Sequence, residues 1–60
     1  MELNKLIKAL EERADEFQEK AFRCWLKDDK FLMKLYRDES DATSKAIFII
    51  KRMIEKGEIQ

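Results

Sequence analysis

Leu3, Ile7, Leu10, Ala14, Phe17, Ala21 and Cys24 recur at alternating steps of four and three, and Leu32, Leu35, Glu39, Ala42, Ala46, Ile49 and Met53 do the same with steps of three and four. Such steps follow one side of an α-helix, because about 3.6 residues complete each turn. Each half of the chain therefore reads as a helix carrying a continuous heptad seam, the pattern of a coiled coil. Strands and tight turns have little material: the 60 residues include one glycine, Gly57, and no proline. Ala, Leu, Glu, Lys, Arg and Met are abundant, and these residues form helix readily.

The seams set the boundaries. A first helix spans about residues 2–27, with Leu6 and Trp25 widening its stripe. Asp28 and Asp29 interrupt the pattern, and an aspartate carboxylate caps the free N–H groups at a helix start. The turn is placed at 28–29 and the second helix at about 30–56, with Gly57 as its stop. Weak helix formers and two possible caps, Ser40 and Asp41, leave a second reading open: a break near Ser40 and three helices. Continuity of the seam favours one helix. The expectation is one all-α domain over residues 1–60, an antiparallel two-helix hairpin. Pairing about the turn brings together residues whose numbers sum to about 57. Trp25 then meets Leu32, Ala14 meets Thr43, and Gln18 can hydrogen-bond Glu39. Small Ala14, Ala42 and Ala46 let the helices approach.

Two helices do not use all the apolar residues. A helix with one neighbour needs an apolar arc of about 100°. On the second helix Phe31, Leu35, Ala42, Ala46, Ile49, Ile50 and Met53 form one side, and Tyr36, Ile47 and Ile54 extend it to roughly 160°. Phe48 falls on the far side, and Phe22 with Leu26 lies off the first seam. Phe22, Leu26, Tyr36, Ile47, Phe48 and Ile54 are therefore the candidate interface residues. A chain this short buries only about 60% of the surface its unfolded form exposes, so a lone hairpin is marginal. The expected assembly is a homodimer, two hairpins making a four-helix bundle. The alternative is a surface kept for a different protein.

Charge is balanced overall, 13 cations against 13 anions, but banded along the chain. Residues 20–37 carry six cations against Asp28 and Asp29. Residues 11–19 carry five acids against Arg13, and residues 38–46 carry Asp38, Glu39 and Asp41 against Lys45. Glu12, Glu16, Glu19, Asp38 and Asp41 thus form an acidic waist. It reads either as a solvated helix surface with pairs such as Glu16–Lys20, or as a face that docks a basic surface.

Several chemistries lack their residues. There is no histidine, so the commonest general base and zinc ligand are missing. Cys24 stands alone, and it reads as a packed cysteine in a reducing compartment. No acidic group has the spacing of a calcium loop, and no glycine-rich phosphate loop exists. No catalytic, cofactor or metal residues are expected, and the chain does not read as an enzyme. The net charge argues against a dedicated nucleic-acid binder, although Lys45, Lys51, Arg52 and Lys56 give the second helix a basic end. The longest apolar run, Ala46 to Ile50, is too short to span a membrane. Met1 to Lys5 show no apolar signal region. A cytoplasmic location is expected.

The segments Ala14-Asp15-Glu16-Phe17-Gln18-Glu19-Lys20-Ala21-Phe22, Trp25-Leu26-Lys27-Asp28-Asp29 and Ser44-Lys45-Ala46-Ile47-Phe48-Ile49-Ile50-Lys51 resemble small phage and prophage proteins of Gram-positive bacteria. These are short helical hairpins. The resemblance implies an accessory protein that binds a host factor, such as a defence system, and modulates or inhibits it. It carries no site residues. The leading functional expectation is thus a non-enzymatic protein-binding dimer. A small nucleic-acid-associated or regulatory dimer and a purely structural bundle remain as alternatives.

Overall fold

A computed structural model describes residues 2–59. Two helices make up the fold, α1 over Leu3–Leu26 and α2 over Lys30–Glu55, and the described residues contain no strand. The helices lie against each other as a rod of 44 × 16 × 12 Å. α2 runs unbroken through Ser40, so the three-helix alternative is overturned. Thr43 is helical, and its hydroxyl is satisfied by donating to the Glu39 carbonyl one turn back, at 2.8 Å.

The reversal is built from two interlocked caps. α1 ends with Asp28 at φ 58, while the Asp28 N–H donates to the Trp25 carbonyl and the Asp29 N–H to the Cys24 carbonyl, at 3.0 and 2.8 Å. This closing pattern normally uses glycine at the left-handed position. Aspartate tolerates that conformation better than most residues, so the turn forms without glycine. Asp29 then caps α2: its carboxylate accepts from the Leu32 N–H at 3.1 Å. Gly57, at φ 75, closes α2 in the same way, with the Glu58 N–H donating to Met53 and the Gly57 N–H to Ile54.

The phase of α2 differs from expectation. The side meeting α1 is Met33, Tyr36, Ser40, Thr43, Ile47, Ile50 and Ile54, one residue on from the expected stripe. Leu32, Ala46 and Met53 become half-buried flanks, and Leu35, Glu39, Ala42 and Ile49 are exposed. Both stripes have heptad spacing, so periodicity alone does not choose between them. Polarity does. The expected seam would bury the Glu39 carboxylate, whereas this one buries a hydroxyl, which costs far less when it finds a partner. Ser40 is 1% exposed and donates to the Ala14 carbonyl at 3.1 Å. The Gln18–Glu39 pairing is replaced by this bond.

The register shifts as well. Ala14 meets Ser40, not Thr43, and the Phe17 and Tyr36 rings stack at 6.3 Å. These pairs sum to 54 and 53, against the expected 57. Lys20 from α1 reaches over both rings, its Nζ 5.9 Å from Phe17 and 5.7 Å from Tyr36. That geometry adds a cation–π attraction to the stack. The small residues that allow close approach are Ala14, Ala21 and Ser40, all buried, not Ala42 and Ala46. The remaining buried core is Ile7 and Ile47. Such a thin core gives a small chain little hydrophobic stabilisation.

Candidate protein-binding surfaces

Three of the six candidate interface residues belong inside the hairpin. Ile47 is buried, and Tyr36 and Ile54 are half-buried, because the one-residue rotation of α2 turns them onto α1. Ile47 is thereby enclosed in the seam, whereas Tyr36 and Ile54 line the seam and keep part of their surface exposed. Phe22, Leu26 and Phe48 remain on the surface. The seam rotation also exposes Leu35 and Ile49, which the heptad pattern places against α1, and Phe31 beside them is exposed as well. Trp25, expected to meet Leu32, is instead 61% exposed.

These residues fall into two main surfaces. At the turn end, Phe22 and Trp25 stack with ring centroids 5.9 Å apart, and Leu26 follows on the same helix at 63% exposure. The pairing leaves one face of the aromatic cluster open to solvent. An open groove of about 520 Å³ is lined by Trp25 and Met33. Lys30, Lys34 and Arg37 line it together with Asp28, Asp38 and Asp41. Three cations against three acids give a polyanion no net attraction there.

The second surface is a stripe down α2 that α1 leaves uncovered: Phe31, Leu35, Ala42 and Ile49, flanked by Ala46 and Met53. Phe48 stands apart from it. It is one residue, about 100°, around the helix from Ile49 on one side and from seam residue Ile47 on the other.

The acidic waist does not converge. All five of its acids are exposed, and helical stepping puts Glu12, Glu16 and Glu19 on the outer side of α1 and Asp38 on the outer side of α2. Asp41 sits in the Trp25 groove. Glu19 pairs with Arg23 one turn on. Among the described residues no three acids or cysteines gather closely enough to hold a metal ion. Cys24 is half-buried on the seam. No described helix is long and apolar enough to cross a membrane.

Comparison with protein families, characterised proteins and solved structures finds no match.

Proposed function

We propose that the chain is a non-enzymatic, cytoplasmic protein-binding module that acts as a homodimer, two hairpins forming a four-helix bundle. The observation that carries this reading is the amount of large apolar surface left over. Phe22, Trp25, Leu26, Phe31, Leu35, Phe48 and Ile49 are all exposed on a chain of 60 residues. Scattered apolar residues need no explanation, but stacked aromatics and an apolar stripe along one side of a helix are the mark of interfaces. The two surfaces divide the work. The α2 stripe serves the dimer, and the Phe22–Trp25–Leu26 cluster serves a second protein. Aromatic anchors of this kind dominate interface energetics, at about 2 kcal/mol or more each. The resemblance of the Trp25–Asp29 segment to phage accessory proteins supports a host factor as the target, which binding modulates or inhibits.

The test is a photo-cross-linker introduced at Leu26, with the captured protein identified, purified and titrated against the chain. The double variant Phe22→Ala, Trp25→Ala should remain folded, because both side chains are mostly exposed, and should lose binding by at least tenfold. Equal binding by the variant and the parent chain would remove the aromatic cluster from the reading.

A further inference from the structure

We infer that a second copy of this chain covers the outer stripe of α2, with the two α2 helices antiparallel and crossing at Ala42. The inference rests on the dimer half of the reading above and specifies its face and direction.

The exposed area matches what a second copy would cover. The chain exposes 5143 Å². A folded monomer of this mass normally exposes about 4,200 Å². The excess of about 1,000 Å² is close to the ~800 Å² that each partner loses in a specific interface of standard size. The stripe is the extended apolar feature along which that excess can be removed. From Phe31 to Met53 it runs about 33 Å, most of the length of the rod.

The stripe is also self-complementary. A two-fold axis through Ala42 brings each residue opposite the one whose number completes 84. Leu35 meets Ile49 of the partner subunit, and Phe31 meets Met53 of the partner subunit. Large side chains thus pack on large ones at both ends, and Ala42 meets its own copy at the centre. Small central residues let the two helix axes come close, as helix packing requires.

Charge decides the direction. Asp38 and Lys45 flank the stripe on one side, about 40° and 60° from Ala42, and Glu39 flanks it on the other; all three are exposed. In the antiparallel arrangement each flank meets its own copy, so Asp38 lies beside Lys45 of the partner subunit, and the symmetry makes this pair twice. A parallel arrangement exchanges the flanks and sets Asp38 beside Glu39 of the partner subunit, which is repulsive at close range. An apolar foreign helix would give Asp38 no counter-charge. A second copy running antiparallel is the occupant that satisfies shape and charge together.

The experiment uses single-cysteine chains in a Cys24→Ala background. Leu35→Cys and Ile49→Cys are both at exposed positions, so neither disturbs the hairpin. Mixed and oxidised, the two chains should form a disulfide-linked heterodimer, while neither links efficiently to itself. Alongside this, Asp38→Lys should weaken dimerisation about tenfold, since two attractive pairs become repulsive. Asp38→Lys combined with Lys45→Asp should restore it to within about threefold. These sites are seven apart on one helix, beyond the reach of pairs within it, so rescue must act between chains. Self-linking of Leu35→Cys, or a double variant no better than the single one, would overturn the antiparallel arrangement while leaving the dimer standing. A chain that stays monomeric at millimolar concentration would overturn both.

Discussion

Ser40 is the residue on which the packing of this hairpin turns, and it allows a matched test. It is 1% exposed and its hydroxyl donates to the Ala14 carbonyl across the seam. That carbonyl sits within α1 and also serves the helix's own ladder. Ser40→Ala therefore removes a bond without stranding a buried acceptor. The expected loss is about 1 kcal/mol, the usual net worth of an intramolecular hydrogen bond. In a domain of this size that lowers Tm by about 4–8 °C. Ser40→Val is the harsher change. One methyl replaces the hydroxyl and a second must enter a site that is already 1% exposed, and overpacking costs about 1–3 kcal/mol in addition to the lost bond. Ser44 supplies the control: the same residue on the same helix, four positions on, but exposed. Ser44→Val carries the same change in helix propensity and should cost no more than about 0.5 kcal/mol. Urea unfolding followed by circular dichroism reads all three at one protein concentration. Equal losses at Ser40 and Ser44 would mean that Ser40 does not face α1, and the assigned phase of α2 would be wrong.

The turn gives two further expectations. Asp28→Gly should stabilise the chain by about 0.5–1 kcal/mol, because Asp28 holds a left-handed conformation that glycine adopts without strain. Asp29→Ala should destabilise it by about 1 kcal/mol through loss of the cap on Leu32, and thermal melts of both variants check the signs. Phe48→Ala should leave both the melting curve and the dimer unchanged, since Phe48 is 64% exposed and lies off the α2 stripe. A sedimentation profile shifted to monomer by that change would move the interface to the other side of α2.

The element boundaries were legible in the sequence because they depend on local chemistry. Asp29 capping, the lack of proline and the stop at Gly57 each act within a few residues. The phase of α2 was not legible from periodicity, because α2 carries two heptad stripes side by side. One contains Glu39 and the other Ser40, and the preference shows only once the cost of burying each polar group is weighed. Preferring the burial of a hydroxyl over a carboxylate would have chosen the Ser40 stripe. The same ambiguity displaced the candidate surface. Tyr36, Ile47 and Ile54 are on the inner stripe, and Phe31, Leu35 and Ile49 are on the outer one. The aromatic cluster was half legible: Phe22 and Leu26 stood off the first seam, whereas Trp25 was within its width and left it to stack on Phe22.

A second copy of the chain over the outer stripe of α2 has a direct signature in solution. It is read by sedimentation equilibrium at micromolar concentration, with melting curves recorded across a hundredfold dilution. A dimer gives a mass twice 7.3 kDa and a Tm that rises with protein concentration, as mass action requires when folding and association are linked. Leu35→Glu, at an exposed position of the stripe, should drive the mass toward that of a single chain. A mass of 7.3 kDa for the parent chain with a concentration-independent Tm would contradict the dimer.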